Sequence, residues 1–191
     1  GAVSLRPATR RRVAGFRAPY PLDVTVKDMD AIQKFIETRL RLRLGTILRE
    51  AAALCDGLTH TPSVLAHNDF HPGNVLFAKD GTPTIIDLDN IMIGPAAKCA
   101  AFAVLRFCVR RPADRVAGNL RRVLRLMASS YKTTSNLEFG QDLYSWMVSI
   151  ELEKILRIAA RVQKTRSYEQ FLGNIALMHL PNLRFLMTNL L

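Results

Sequence analysis

The sequence predicts a mainly helical domain of the α+β kind with one small β-hairpin. Apolar residues recur at the spacing of amphipathic helices through most of the chain. An Asp-Gly turn signal at Asp80-Gly81 separates two short apolar runs that are typical of hairpin strands. The chain has 191 residues, of which 49% are hydrophobic, so it is long and apolar enough to bury one sizeable core.

The helical periodicity predicts where the helices begin and end. Asp30 and Gln33 fit a capping box at the start of the first one. Its apolar pattern continues to about Cys55, and Gly45 is expected to divide it into two helices. Later helices are predicted over roughly Pro95–Arg110, Ala113–Tyr131, Leu137–Gln163 and from Ser167 to Pro181, where the proline is expected to break the last one.

The hairpin strands are predicted at Asn74–Phe77 and Thr84–Ile86, and Val64–Ala66 is a short apolar lead into them. If the extended conformation persists beyond the second strand, Asp87 and Asp89 lie on the same face of it, because side chains alternate along a strand.

The domain organisation follows from these elements. Residues 1–24, which are rich in Arg and contain Pro, are expected to form a basic arm or linker. Residues 25–191 are expected to form one lobe, with a catalytic loop and hairpin at 64–95 and a helical remainder at 96–191.

The charge of the chain predicts an attraction for anions. The formal net charge is +11, which favours nucleotides, phosphorylated substrates or nucleic acid, although a merely solvated basic face explains it equally well. Aromatic residues are not interleaved with the basic ones in a single-strand-binding pattern, which disfavours nucleic acid as a partner. A basic nucleic-acid-binding helical domain therefore remains a third alternative only.

Cysteine usage and hydropathy predict a cytoplasmic protein. The three cysteines are an odd number without C-x-x-C spacing, which favours free thiols in a reducing compartment. No apolar run reaches the roughly 18 residues of a membrane-spanning helix, and no signal peptide pattern is present. We therefore expect no membrane association.

The segment His67–Asn74 carries the clearest chemical pattern, H-x-D-x-x-x-x-N. Asp87 follows thirteen positions after Asn74, at the end of an apolar run. In phosphoryl transfer, one Asp accepts the proton of the attacking hydroxyl, while an Asn and a second Asp hold magnesium. Asp69, Asn74 and Asp87 have the chemistry and the order for these tasks. The alternatives are a local turn hydrogen bond for Asp69, a strand-start cap for Asn74 and a hairpin-end acid for Asp87.

Three further residues accompany this pattern. His67 is expected to support the loop through hydrogen bonds rather than to react. His71 has two readings, as a contact to substrate or as an ordinary loop histidine. Asp89 lies near the metal or substrate in one reading and is a solvated acid in the other.

The segments His67–Asn74 and Ile85–Asp89 resemble the aminoglycoside phosphotransferase and choline kinase-like family, relatives of the protein kinases. That family typically has H-G-D-x-x-x-x-N, often with Pro-Gly before the Asn, and then I-D-W/F-D/E after a short hairpin. The chain has H-N-D-F-H-P-G-N and I-I-D-L-D. The specific resemblance covers about residues 64–95.

The resemblance implies the fold of a protein kinase-like C-terminal lobe. It also implies ATP- and magnesium-dependent phosphoryl transfer to a small-molecule hydroxyl, such as that of an aminoglycoside, a sugar or an amino alcohol. By position, Asp69 is then the catalytic base, and Asn74 and Asp87 are the magnesium ligands. The implied partners are a nucleotide and a small-molecule acceptor.

The sequence departs from the family pattern in three respects. Asn68 replaces the usual Gly. Lys98 stands near the position of an Asp that braces the catalytic loop in the family. A Gly-rich loop and a strand-borne Lys, which position the nucleotide in kinases, do not appear.

We therefore expect the chain to be the C-terminal lobe alone, either part of a longer kinase or a degenerate relative. Without a nucleotide-binding lobe it is expected to fold but not to catalyse. The surface that faces the missing lobe is expected to be apolar, which favours dimerisation. The alternative function is a non-catalytic kinase-like scaffold that binds a partner or an anionic ligand. The sequence leaves open the acceptor, the oligomeric state and what precedes Gly1.

Overall fold

The structure is a computed structural model that describes residues 26–56, 58, 63–109, 116–135 and 142–190. The arm predicted at 1–24 lies outside the described residues, and the division into an arm and a lobe stays a prediction. The described residues fall into two compact units. The first unit contains the described residues from 63 to 143, and the second contains those from 26 to 58 and from 144 to 190.

Helices dominate the described chain, which confirms the predicted fold class. They are α1 (Val26–Leu40), α2 (Ile47–Asp56), α3 (Ala96–Cys108), α4 (Ala117–Ser135), α5 (Asp142–Lys164) and α6 (Leu180–Leu190). A 3₁₀-helix at Arg166–Phe171, one α-helical turn at Leu172–Asn174 and a π-helix at Ile175–His179 precede α6. None of the described helices combines the length and the apolar character required to span a bilayer.

The predicted hairpin is present and consists of β2 (Val75–Phe77) and β3 (Pro83–Ile85). The strands are antiparallel, with Val75 opposite Ile85. At the turn, Asp80 accepts a hydrogen bond from the backbone N–H of Thr82 at 2.9 Å, which lowers the pKa of the Asp80 carboxyl. Gly81 has a φ of +84°, a conformation that glycine adopts without steric cost.

A second two-stranded sheet closes the segment that carries the motif. Strand β1 (Ser63–Ala66) pairs antiparallel with β4 (Met92–Pro95), and Ala66 lies opposite Met92. The chain therefore leaves β1 into the catalytic loop, passes through the hairpin and returns at β4. Residues 64–66 are thus part of a strand and not only an apolar lead into the hairpin, and their partner strand lies far along the chain.

Helix α3 supports this closed segment from one side. It packs against both β1 and β4. Its buried face is built largely from alanine, namely Ala96, Ala97, Ala100, Ala101 and Ala103. Such small side chains allow the backbone of the strands to approach the helix closely. The first unit therefore holds the motif between a short sheet and an alanine-rich helix.

The second unit is a helical packing in which α2 contacts both α1 and α6. Gly45, with a φ of +60°, lies between α1 and α2, which confirms the predicted division. The predicted capping box is wrong, because α1 begins at Val26 and Asp30 lies more than one turn inside it. Asp30 instead pairs with Arg49 at 2.8 Å, and Gln33 donates to the carbonyl of Gly45 at 2.8 Å.

The expectation that Pro181 breaks the last helix is also wrong. Pro181 is the second residue of α6, and the helical path continues through it. Proline lacks an N–H, and its ring crowds the carbonyl four residues earlier. That carbonyl belongs to Leu177, within the π-helix Ile175–His179. The wider turn of the π-helix leaves room for the proline ring, so the helix continues through Pro181.

A buried hydrogen bond joins α5 to the end of the π-helix. Nδ1 of His179 lies 2.7 Å from a carboxylate oxygen of Glu151, and Nζ of Lys154 lies 3.4 Å from the other oxygen. Burial alone raises the pKa of the Glu151 carboxyl. The hydrogen bond with His179 and the charge of Lys154 outweigh burial and hold that pKa below its usual value.

We predict that acid destabilises the second unit through Glu151. Because the folded pKa is lowered, the stabilisation is present above the unfolded value of 4.5 and is lost as the pH falls through the folded value. Near neutral pH, Glu151→Gln should lower the free energy of unfolding by about 1–3 kcal/mol and flatten its acid dependence. Denaturant unfolding across pH measures both effects. Glu153→Gln, on the same helix, is the control, and equal losses in both variants would contradict the prediction.

Candidate active site

The catalytic loop begins with a left-handed turn directly after β1. Asn68 has a φ of +58°, a conformation that Gly adopts freely and that Asn adopts more easily than most other residues. This geometry accounts for the usual Gly of the related sequences and for its replacement here. The substitution therefore preserves the path of the loop into Asp69.

His67 connects the loop to the end of the hairpin. Its Nε2 donates to the backbone carbonyl of Ile86 at 2.8 Å. The other ring nitrogen, Nδ1, is buried and has no hydrogen-bond partner among the described residues. Its ring also approaches that of Phe70, with centroids 6.1 Å apart. This geometry agrees with the expected supporting role of His67, because its hydrogen bond goes to the backbone and not to a reacting group.

Asn74 ties the loop to the hairpin through three hydrogen bonds. Its side-chain Nδ2 donates to the backbone carbonyl of Asp69 at 3.0 Å. Its backbone N–H donates to the carbonyl of His71 at 2.9 Å, and its own carbonyl accepts from the N–H of Ile86 at 3.0 Å. The residue is only 6% exposed. Because Nδ2 is engaged, Oδ1 is the amide atom that remains for a cation.

Asp69 carries a carboxylate between two nitrogen groups that stand slightly beyond hydrogen-bond distance. Nε2 of His71 lies 3.8 Å from Oδ2, and an Nη of Arg106 lies 3.8 Å from Oδ1. The Asp69 side chain is 29% exposed. The carboxylate is thus placed beside donors and still accessible to a further hydroxyl group.

The tautomer of His71 follows from a local hydrogen bond. Its Nδ1 accepts from the backbone N–H of Gly73 at 3.0 Å, so the ring proton of the neutral side chain lies on Nε2, toward Asp69. A Cβ at Gly73 would come within 2.9 Å of a carbon of this ring. Glycine at this position therefore allows His71 to fold back over the loop.

Asp87 occupies a left-handed turn rather than an extended strand. Its φ is 59° and its ψ is 63°, and the 3₁₀-helix Leu88–Asn90 follows immediately. The expected strand-like alternation of Asp87 and Asp89 is therefore wrong. Such a conformation is costly for a non-glycine residue, and strain of this kind is frequent at functional sites. Both acids are exposed, and Asp87 makes no capping hydrogen bond through its side chain.

The three principal residues are connected through backbone hydrogen bonds. Asn74 contacts Asp69 directly, and its carbonyl pairs with Ile86, the residue that precedes Asp87. An amide oxygen and a carboxylate are hard ligands of the kind that magnesium prefers. Among the described residues, no cluster of three or more His, Cys, Asp or Glu side chains forms a metal cage. Magnesium in phosphoryl transfer needs no such cage, because phosphates and waters complete its shell.

The start of α3 carries no carboxylate where the family has its bracing Asp. Lys98 stands there, and it is partly buried. The neighbouring Cys99 is also partly buried, and burial raises the pKa of its thiol to about 11 although the charge of Lys98 acts in the opposite direction. Cys99 is therefore a neutral thiol near neutral pH and a poor nucleophile. The described hydrogen bonds that hold the loop come from His67 and Asn74 instead.

Arg106 is the residue of this site that the sequence analysis missed. It lies on α3, far along the chain from Asp69, and no motif spacing connects the two. The only signal in the sequence is a basic residue within the predicted helix Pro95–Arg110. The structure brings it to the carboxylate because α3 packs beside the catalytic loop.

A comparison with known protein families agrees with this geometry. The model of the phosphotransferase enzyme family, which is the aminoglycoside phosphotransferase group, matches residues 5–132. The chain belongs to this family. The expected family is thereby confirmed, and the match extends well beyond the motif segment. No curated protein and no solved structure is a significant match to the chain.

We predict that Gly73→Ala impairs phosphotransferase activity without unfolding the protein. The new Cβ would come within 2.9 Å of the ring of His71, which must then shift from its position beside Asp69. Displacement of an active-site group by about 1 Å can cost as much as 100-fold in rate, so we expect a loss of roughly 10–100-fold. Steady-state kinetics of the complete polypeptide, meaning this chain together with the expected nucleotide-binding lobe, measures the loss of activity. Gly118→Ala on α4, where a Cβ meets no atom within 4 Å, is the control and should retain full activity. Unchanged activity in Gly73→Ala would contradict the prediction.

Proposed function

We propose that the chain forms the catalytic lobe of an ATP- and magnesium-dependent kinase that phosphorylates a hydroxyl group of a small molecule. Membership of the phosphotransferase family supports the reaction class. The observation that carries the proposal is the Asn74 linkage, which connects Asp69 on one side and the segment before Asp87 on the other. The acceptor classes proposed are aminoglycosides, sugars and amino alcohols.

In this proposal Asp69 accepts the proton of the acceptor hydroxyl as the phosphoryl group is transferred. Its carboxylate is partly exposed and stands 3.8 Å from both His71 and Arg106, so a hydroxyl can approach it. Both donors stand beyond hydrogen-bond distance, so they leave the carboxylate oxygens available to the hydroxyl. A positioned base within hydrogen-bond reach of the hydroxyl is the geometric requirement for such a role.

Asn74 and Asp87 are the proposed magnesium ligands, with Asp89 close to the metal or the substrate. The hydrogen bond from Nδ2 of Asn74 to the backbone carbonyl of Asp69 orients the amide, so that Oδ1 points away from this carbonyl. When bound, magnesium neutralises the charge on the nucleotide phosphates. His67 supports both segments, because it connects the loop to the backbone immediately before Asp87.

A nucleotide-binding lobe is the proposed partner of this chain. Several apolar side chains at the hairpin and after it are exposed, namely Leu76, Phe77, Ile85 and Leu88. An apolar surface of this kind fits a site that another lobe or a second copy covers. A cytoplasmic location, where ATP is available, is part of the same proposal.

A non-catalytic scaffold that binds a partner or an anionic ligand is the second candidate. The observation in its favour is Lys98, which replaces the acid that braces the catalytic loop in the family. The retained set of Asp69, Asn74 and Asp87 opposes it, because a binding scaffold needs none of the three together.

We predict that Asp69→Asn in the complete polypeptide lowers turnover far more than it weakens nucleotide binding. A general base contributes about 10²–10⁴-fold to the rate, and Asp69 contacts the acceptor rather than the nucleotide. Turnover and calorimetric nucleotide affinity, measured on the same samples, separate the two effects. Asp80→Asn at the exposed hairpin turn is the control. Near wild-type turnover in Asp69→Asn would exclude its role as base, whereas absence of turnover in the unsubstituted polypeptide would favour the scaffold.

We also predict that the 191-residue chain alone folds cooperatively but does not turn over ATP. Its helices bury apolar faces, whereas transfer needs a nucleotide held in line with the acceptor. A thermal melt and an ATP-consumption assay against a panel of hydroxyl acceptors provide the measurement. Turnover at ordinary kinase rates, about 1–100 per second, would contradict the need for a second lobe.

A further inference from the structure

We infer that Arg106 makes the acceptor site selective for a hydroxyl compound that also carries a phosphate or carboxylate group. This inference rests on the proposed function and narrows its acceptor class. It favours phosphorylated or acidic small molecules over cationic aminoglycosides and amino alcohols.

The guanidinium of Arg106 stands beside Asp69 without forming a close ion pair with it. An Arg–carboxylate pair usually has two parallel hydrogen bonds of about 2.7–2.9 Å. Here the nearest nitrogen is 3.8 Å from Oδ1, and the Arg106 side chain is 29% exposed. Its Nε is buried and has no hydrogen-bond partner in the part of the chain that the structure describes. Because the side chain is partly exposed and its nearest nitrogen stands beyond hydrogen-bond distance of Asp69, donors of the guanidinium remain for another anion.

Aromatic contacts fix the guanidinium in this position. It lies over the ring of Phe102, one turn earlier on α3, at 5.2 Å from the centroid. The neighbouring Phe107 contacts the ring of Phe70 with centroids 5.3 Å apart. Phe70 follows Asp69 in the chain, so this contact ties α3 to the catalytic loop. A preorganised cation loses little entropy when it binds an anion.

The charge of the first unit agrees with an anionic ligand. Helix α4 contacts α3 and contains no Asp or Glu. It exposes Arg121, Arg122 and Arg125. Such a field raises the local concentration of anions and disfavours cations. The acidic residues of the motif near Arg106 are the proposed base and metal ligands. During transfer, the accepted proton offsets the charge of the base, and magnesium offsets the charge of its ligands.

The distances limit the shape of the acceptor. A hydroxyl that Asp69 accepts from lies about 2.6–3.2 Å from its carboxylate. An anionic group bound by Arg106 lies about 2.7–2.9 Å from a guanidinium nitrogen. Because the two side chains stand 3.8 Å apart, one small molecule can present both groups, and the hydroxyl and the anionic group then lie within roughly 10 Å of each other.

The other role open to Arg106 is to orient the Asp69 carboxylate. An orienting residue affects the rate with every acceptor alike, because it acts on the base. A residue that binds the acceptor affects anionic acceptors and leaves neutral ones unchanged in affinity. Binding measurements without nucleotide separate the two roles, because they do not depend on proton transfer.

The test uses the complete polypeptide and matched probes that differ by one anionic group. The probes are inorganic phosphate and a panel of alcohols and sugars, each with and without a phosphate or carboxylate. The variants are Arg106→Met, Arg106→Lys and Arg125→Met, of which the last changes the net charge equally at an exposed site on α4. Calorimetry measures binding, and a thermal melt verifies folding.

We expect the wild-type protein to bind at least one anionic member more tightly than its neutral match by about 10–100-fold, the range of charge-assisted hydrogen bonds. Arg106→Met should abolish this preference, and Arg125→Met, which removes one charge of the surrounding field only, should retain most of it. Arg106→Lys should retain it in part, because a lysine supplies charge without the planar fork. If Arg106→Met does not fold, Arg106→Gln, which also removes the charge, takes its place, and wild-type preference in that variant would overturn the inference.

Anion binding that is equal in wild type and Arg106→Met, or absent from the whole panel, overturns the inference. A loss of turnover that is equal for charged and neutral acceptors, with anion binding unchanged, does so as well and assigns Arg106 to the orientation of Asp69. Absence of turnover with every acceptor, together with Arg106-dependent binding, overturns the proposed kinase reaction and leaves the anion site in place.

Discussion

The hydrogen bonds of Asn74 are the constraint on which the site depends. Its side chain donates to the carbonyl of Asp69, and its backbone N–H donates to the carbonyl of His71. Its own carbonyl accepts from the N–H of Ile86. Because Asn74 is buried, these bonds are shielded from water, and the loss of one would leave an unpaired group inside the protein. The loop of Asp69 and the turn of Asp87, from different parts of the sequence, are thereby held to one another.

The rest of the first unit serves to keep this linkage rigid. The β1–β4 pairing closes the segment at its base, and the alanine-rich face of α3 packs against both strands. Left-handed residues at Asn68 and Asp87 turn the chain into the loop and out of the hairpin. The same helix that supports the sheet also carries Arg106 to the carboxylate of Asp69. Structural support and the recognition of charge therefore share one element.

Local sequence signals predicted the local features well. The Asp-Gly turn at Asp80-Gly81 and the break at Gly45 follow from short-range backbone preferences, which a sequence displays directly. Three features depend on contacts between residues that are distant in sequence, and no motif spacing predicts them. They are the β1–β4 sheet, the position of Arg106 beside Asp69 and the pairing of Glu151 with His179. The expectation for Pro181 is wrong because the preceding π-helix removes the clash that normally ends a helix. The motif identifies Asp69, Asn74 and Asp87 as candidate site residues, and their roles in catalysis stay predictions.

The most direct test of the account is the place where a paramagnetic metal binds. Manganese can replace magnesium with the nucleotide, and it broadens the amide NMR signals of nearby residues in the complete polypeptide. The account predicts that broadening begins at Asn74 and Asp87 and that Asp87→Asn, which tolerates the same left-handed turn, strongly weakens it. Broadening centred on another group of acids, or unchanged in Asp87→Asn, would contradict the proposed metal site.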